Sequence, residues 1–427
     1  MNNSHNPFAL LDWWSVGFYL ALVAFGWLNI YAAVYDPDVP RALFDLSVNS
    51  GKQLLWICLA LVIALAILLL FDVKFYFTFA YLIYGLAMFS LLFVLIFGLE
   101  IKGSKSWFDL GFIRLQPAEF TKLATALALA KFLHDPMSKV TKPSIYLLCA
   151  GILGVPMALI ILQGDTGSAL VFTVMILAMY REGLPDRLMG LGLIFLTLFV
   201  LTLFYSKMYL SLGMLLLGGL YILMATNQRW KKIWPALIVT VASILLVFSV
   251  DFVVNRILKD HQRARIYAIV KGIDATNKKS IGYQVWQSKV AIGSGGLTGK
   301  GFLEGTQTKG NYVPDQVTDF IFSIIGEEYG WLGSLTFIIV YILFLNRLLV
   351  VAERQKSRFS RVYGYCVASI LFFHFAFNIA MTMGLFPVIG IPLPFISYGG
   401  SSLWAFTALL FILLRLDMQR KQQIINL

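Results

Sequence analysis

The sequence predicts an all-α polytopic membrane protein. Of its 427 residues 59% are apolar and only 13% charged, and the mean hydropathy is +0.79. A single water-soluble core cannot take in that much apolar surface. The apolar residues also gather in runs long enough to cross a hydrocarbon layer of roughly 30 Å, which takes about 20 helical residues. A helix satisfies its own backbone polar groups in lipid, so these runs read as spanning helices rather than barrel strands.

The first run, Trp13 to Val34, is too long for the apolar region of a secretory signal, and no Lys or Arg precedes Arg41; it reads as a first span. Apolar stretches between charged or Pro/Gly-rich breaks follow at 52–71, 75–97, 117–133, 144–162, 167–180, 187–205, 208–225, 233–255, 319–349, 361–384 and 397–414. That gives about twelve spans. Basic residues set the orientation: with the N-terminus cytoplasmic, the inside loops hold 17 Lys or Arg and the short outside loops 6. The positive-inside rule then places both termini in the cytoplasm. Residues 256–318 form one long outside connection of 63 residues with ten Lys or Arg of its own, and loops of this length cross largely regardless of charge. Long ordered loops tend to carry function.

Cys58, Cys149 and Cys366 all lie inside apolar runs, in no ligand spacing, so neither a disulfide framework nor a metal site is indicated. The net charge of +12 is accounted for by loop charge and anionic headgroups, with membrane lipids rather than nucleic acid as its partner.

Four segments could carry chemistry. In the stretch from Gly103 to Lys122, Pro117 suits a first helical position, which puts Glu119 in the first turn, where the helix dipole favours an anion. Lys122 follows three residues later on the same face, so the two can pair, either to contact substrate or only to hold helices together. Trp107, with Arg114 in the same segment, also suits an interfacial anchor. In the long loop, Arg263, Arg265, Lys289 and Lys300 accompany the run Gly293-Ser-Gly-Gly-Leu-Thr-Gly-Lys300-Gly301. Ser294 and Gly301 stand where a P-loop needs Gly and Ser or Thr, so nucleotide binding is not supported. The glycines and cations could instead wrap a pyrophosphate, or the loop could simply lie on anionic headgroups.

The third segment holds Asp315 and Asp319, four residues apart, where they could share one face at the start of a helix. A helix from Asp319 to Leu349 would be about 46 Å long, so its first turns must protrude, tilt or line a cavity. An acid at that mouth is a functional candidate, with a hydrated helix cap as the plainer alternative. Glu327 and Glu328 lie deeper and read as partners of buried polar groups. In the fourth segment, Pro387, Pro392 and Pro394 forbid an ordinary helix, and irregular backbone beside a membrane must be buried in protein or line a wet cavity.

Together these segments resemble the SEDS family of shape, elongation, division and sporulation proteins. The matching stretches are Trp107 to Lys122, Gln163-Gly-Asp165-Thr-Gly-Ser168, Gln262-Arg263-Ala-Arg265-Ile266, Gly282 to Gly296, Gly299-Lys-Gly301, Gly305-Thr-Gln307, Thr318-Asp319-Phe-Ile-Phe322, Gly326-Glu-Glu328 and Pro387 to Ser401. The Gly-Lys-Gly and Gly-Thr-Gln elements are more similar to the RodA branch of cell elongation than to the FtsW branch of division. The resemblance implies ten spans with a large extracytoplasmic loop, in a bacterial cell membrane. This chain is long enough between 183 and 252 for two additional helices, an even insertion that leaves the orientation unchanged.

The resemblance further implies polymerisation of lipid II into glycan strands, with a class B penicillin-binding protein as transpeptidase partner. It assigns Asp319 as the catalytic acid or base and Glu119 with Lys122 as a paired site element. Arg263, Arg265 and Lys289 become contacts to the anionic substrate, while Trp107, Arg114 and Asp165 lie in matched stretches. The turn at Asp165 departs from the family's Pro-Asp-Leu-Gly by reading Gly-Asp-Thr-Gly. No organic cofactor is implied; a divalent cation, Mg or Mn, is an alternative means of meeting the leaving group's charge. The rival functions are a flippase for the lipid-linked precursor and a scaffold that only docks the transpeptidase.

Overall fold

The computed structural model describes residues 7–35, 44–101, 103–111, 113–135, 137–138, 140, 142–224, 229–252, 263, 281–310 and 312–425. Two compact units emerge, residues 1–183 with 284–427, and residues 184–283.

The larger unit opens with α1 (Trp13–Val34), α2 (Asn49–Leu70) and α3 (Val73–Phe97). Asp12 caps α1 by accepting from the Ser15 amide at 3.2 Å and the Ser15 hydroxyl at 2.7 Å. The segment after α3 is a small antiparallel sheet of β1 (Leu99–Ile101), β2 (Ser104–Asp109) and β3 (Arg114–Leu115), in the order β1-β2-β3. Trp107 pairs with Leu99, and Asp109 with Arg114.

Helix α4 (Pro117–His134) starts with proline at its first position, as the sequence implied. It is the most enclosed element of this half of the chain. Ala118, Ala124, Ala126, Ala128 and Ala130 are all buried, and these small side chains let neighbouring helices approach closely. Then come α5 (Pro143–Leu162) and a helical tract of α6 (Thr166–Val171), a 3-10 turn (Phe172–Met175) and α7 (Ile176–Arg181).

Beyond the smaller unit the chain returns in α11 (Ile281–Ser294, in the larger unit from Gln284 on), α12 (Thr306–Lys309), α13 (Ile321–Glu353), α14 (Arg358–Thr382) and α15 (Gly400–Ile425). Helix α4 packs against α3, α14 and α15, while α13 packs against α14 and α1. Arg354, just past α13, donates to Asp12 at 3.0 Å and through Nε to Asp417 of α15 at 2.8 Å. The start of α1 and the ends of α13 and α15 therefore share one side of this unit, and the residues preceding α13 lie at the other.

In the smaller unit, α8 (Asp186–Phe204), α9 (Lys207–Met224) and α10 (Arg229–Phe252) form a helical array in which α10 packs on both others. Gly218 allows the contact: a Cβ there would stand 2.2 Å from Thr240 Oγ1.

The described residues of each of the twelve apolar stretches lie mainly on a helix or on the α6–α7 tract. Among the described residues nine helices are long and apolar enough to cross a membrane: α1, α2, α3, α5, α9, Ile233–Val250 of α10, α13, α14 and Gly400–Arg420 of α15. The chain is a multi-pass membrane protein.

Two local expectations are corrected. Helix α13 begins at Ile321, so Asp319 lies in the preceding turn. Asp315 adopts a left-handed conformation (φ 55°), which ends the idea that Asp315 and Asp319 share a helix face. Helix α13 is also broken at Gly330 (φ 65°, ψ −160°), so it is two helical pieces rather than one long rod.

Candidate active site

The turn that carries Asp319 is held by its backbone. The Thr318 carbonyl accepts from Ser397 Oγ at 2.6 Å, the Val317 carbonyl from the Tyr398 amide at 2.8 Å, and the Asp319 carbonyl from Asn378 Nδ2 at 2.8 Å. Within the turn, the Asp315 carbonyl accepts from the amides of Thr318 at 3.1 Å and Phe320 at 3.2 Å. Ser397 and Tyr398 belong to the proline-rich segment after α14, whose prolines forbid a helix and leave its polar groups free to serve the neighbouring turn. The half-buried Asp319 is thereby mounted on a fixed support.

A second cluster lies on α4 and α14. Lys122 Nζ donates to Glu119 Oε2 at 2.8 Å, and both side chains are almost wholly enclosed. Lys122 also lies 3.0 Å from His374 Nε2 and stands 4.9 Å from the centroid of the Phe406 ring. His374 Nδ1 meets the Pro392 carbonyl at 3.0 Å. The sequence pairing of Glu119 with Lys122 is present, and it reaches the proline-rich segment through His374.

The remaining candidates belong to other elements. Lys289 is exposed on α11, and its Cδ would lie 3.3 Å from a Cβ at Gly384, where the proline-rich segment leaves α14. Ser288 beside it anchors α11 by donating to the Thr382 carbonyl at 2.8 Å. Arg114 is exposed, 3.8 Å from Asp109, and its carbonyl accepts from Ser401 Oγ at 2.8 Å. Trp107 is half-buried in β2. Asp165 caps α6, accepting from the Ser168 amide at 3.0 Å and hydroxyl at 2.8 Å, and from Gln116 Nε2 at 2.8 Å. Arg263 is half-buried in the smaller unit, and Arg265 lies outside the described residues.

The glycine-rich run is not a phosphate cradle. The Lys300 and Gly301 amides donate to the Glu327 and Glu328 carbonyls at 3.1 and 3.0 Å, and the Gly299 amide to the Gly295 carbonyl at 2.9 Å. In return the Trp331 and Leu332 amides donate to Gly296 and Leu297. The run docks backbone to backbone against the break in α13: a Cβ at Gly295 would lie 2.1 Å from the Gly326 carbonyl oxygen. Glycine here permits close approach, and those amides are already engaged. Glu327 is the partner of polar groups that the sequence suggested, accepting from Lys300 Nζ at 2.6 Å and from the Gln307 and Thr308 amides at 2.8 and 2.9 Å.

Sequence reasoning missed His374 and Asn378, both 1% exposed or less. The signal was there, since a His and an Asn four residues apart in an apolar span are expensive in lipid and need partners. Among the described residues no group of three or more His, Cys, Asp or Glu side chains converges as a metal-ligand set.

A family model covering FtsW, RodA and SpoVE and described as "Cell cycle protein" matches residues 13–212 and 181–422. The chain belongs to this SEDS family. It is 31% identical over 329 residues to the peptidoglycan glycosyltransferase MrdB of Escherichia coli K12, covering 76% of this chain and 74% of that one. To the peptidoglycan glycosyltransferase RodA of Treponema pallidum it is 30% identical over 412 residues, covering 90% and 92%. Among solved structures it resembles a chain described under "Structural coordination of polymerization and crosslinking by a peptidoglycan synthase complex", with TM-score 0.70, 27% identity and coverage of 96% and 99%. RodA of Thermus thermophilus matches with TM-score 0.62 and 25% identity over 98% and 99%.

Proposed function

We propose that this chain is a peptidoglycan glycosyltransferase that polymerises lipid II into glycan strands during cell-wall elongation, with Asp319 as its general base. The observation that carries this reading is the Asp319 turn, clamped at three successive carbonyls, in a chain whose relatives are named for that activity. The carboxylate takes the proton of the acceptor sugar hydroxyl as its oxygen bonds to the donor's anomeric carbon. The bond from that carbon to the pyrophosphate oxygen breaks with inversion, and polyprenyl pyrophosphate leaves.

Cations stabilise the leaving diphosphate in this scheme, and Lys289 is an exposed one beside the start of the proline-rich segment. By family resemblance Arg263 and Arg265 are substrate contacts, as are Trp107, Arg114 and Asp165. Glu119 and Lys122 contribute as the enclosed pair behind the site. Both termini face the cytoplasm and the Asp319 side faces out, a reading supported by the shared side of the α1 start and the α13 and α15 ends. The 183–252 stretch supplies two helices beyond the family's ten. A crosslinking partner, a single-span class B penicillin-binding protein, is supported by the synthase complex that includes a similar chain.

The test is direct: purified protein receives labelled lipid II, and glycan products are resolved on a gel. A polymerase makes strands. A flippase or scaffold makes none.

A further inference from the structure

His374 and Asn378 stand four residues apart on α14 and therefore on one face of the helix. Each grips a carbonyl of the proline-rich segment, and the two carbonyls are consecutive. Asn378 Nδ2 donates to Ile391 at 2.8 Å and His374 Nδ1 meets Pro392 at 3.0 Å. A carbonyl only accepts, so Nδ1 of His374 carries the hydrogen and Nε2 presents its lone pair to the Lys122 ammonium at 3.0 Å. Asn378 has a second hydrogen as well, and it goes to the Asp319 carbonyl at 2.8 Å.

We infer that His374 and Asn378 are positioning residues that hold the Asp319 turn and the Lys122 ammonium in fixed relation through the Ile391 and Pro392 carbonyls. The inference rests on Asp319 being the base. Neither side chain needs to touch substrate for this. The physical reason is that irregular backbone within a membrane protein must find donors for its carbonyls, and proline supplies no amide of its own. Here the donors are two side chains on successive turns of one helix, and each has a second bond to a different part of the site. Loss of either link frees one site element to shift, and a displacement of about 1 Å at a catalytic group can cost about a hundredfold in rate.

The experiment compares four variants of the full-length protein: His374→Phe, His374→Gln, Asn378→Leu and Asp319→Asn. Polymerisation of labelled lipid II gives kcat and KM, and thermal unfolding reports folding. Phenylalanine keeps the ring volume and the edge contact with Phe406, whose centroid is 4.9 Å away, but has no ring nitrogens. Glutamine retains one donor and one acceptor. We expect His374→Phe and Asn378→Leu to lose at least about tenfold in kcat with KM within about twofold of the parent, and His374→Gln to stay within about threefold.

A packing role alone would rank phenylalanine above glutamine. That ranking, or parental kcat in His374→Phe, overturns the inference. If Asn378→Leu does not fold, the order of the two His374 variants decides alone. Asp319→Asn separates the two readings: if it is inactive while His374→Phe works normally, the positioning role falls and the base assignment stands. An active Asp319→Asn removes the base assignment itself.

Discussion

Lys300 Nζ donates to Glu327 across 2.6 Å, and this contact joins the glycine-rich run to the first piece of α13. The same carboxylate accepts from the Gln307 and Thr308 amides, so it fixes α12 as well. Removing its charge leaves Lys300 without its countercharge and costs charge-assisted bonds of about 1.5–3 kcal/mol. Glu327→Gln is expected to lower stability by about 2 kcal/mol, read as a fall in Tm of the purified protein. An unchanged Tm would contradict this account of the carboxylate.

Gly299 and Gly293 provide a paired prediction from the same region. Gly299 has φ 83°, and a Cβ there would lie 2.1 Å from the Glu328 carbonyl oxygen, so Gly299→Ala must push the run off α13. We expect a loss of at least about 2 kcal/mol. Gly293 is helical, and a Cβ there would meet nothing within 4 Å, so Gly293→Ala should be neutral or stabilising by up to about 1 kcal/mol. Equal Tm values for the two variants would defeat the close-packing explanation.

At the other side of the larger unit, Asp12 supplies a pH prediction. Burial pushes its carboxyl up, but hydrogen bonds from Arg347, Ser15 and Arg354 outweigh burial and hold it well below the ordinary carboxylate range. The folded state then binds fewer protons than the unfolded one. Its stabilisation is complete above the unfolded value of about 4 and is lost as pH falls through the folded value. Thermal unfolding between about pH 3 and pH 7 should show Tm falling on the acid side, and Asp12→Asn should flatten that limb. A limb of the same slope in Asp12→Asn would assign the acid sensitivity elsewhere, Glu182 with Arg358 and Arg361 being the next group held low.

The helices were legible because lipid imposes length and apolarity directly on sequence: all twelve stretches overlap helical segments, and nine of them lie on helices long and apolar enough to cross a membrane. The start of α4 was legible through Pro117, and Glu119 with Lys122 through helical spacing. The glycine run misled because its spacing is the same whether the amides face a phosphate or another backbone; only the break at Gly330 distinguishes the two. Asp315 misled because a left-handed residue leaves no trace in a four-residue spacing. His374 and Asn378 went unread because only the tertiary fold brings their partners, the Ile391, Pro392 and Asp319 carbonyls and the Lys122 ammonium, to α14.

Orientation can be tested independently. With the native cysteines replaced, a cysteine at exposed Lys356 should resist an impermeant reagent in intact cells, and one at Lys278, outside the described residues, should react. Labelling at both positions would reject the proposed sidedness.

The decisive prediction concerns Asp319. An acceptor sugar hydroxyl is a poor nucleophile at neutral pH, and a carboxylate within hydrogen-bond reach raises its reactivity by removing its proton as the new bond forms, an effect worth about 10²–10⁴ in rate. No second protein acid is needed, because pyrophosphate leaves readily once fixed cations meet its charge. The support around Asp319 acts on its backbone, through Asn378, Ser397 and Tyr398 on neighbouring carbonyls, so the turn does not depend on the carboxylate for these bonds. Asp319→Asn should lower glycan synthesis by at least about a hundredfold, with Tm and binding to the transpeptidase partner measured alongside to separate loss of the base from loss of the fold. Asp315→Asn should be milder, because asparagine tolerates the left-handed backbone that Asp315 adopts (φ 55°). Near-parental polymerisation by purified Asp319→Asn would exclude Asp319 as the base and require another group to take the hydroxyl proton.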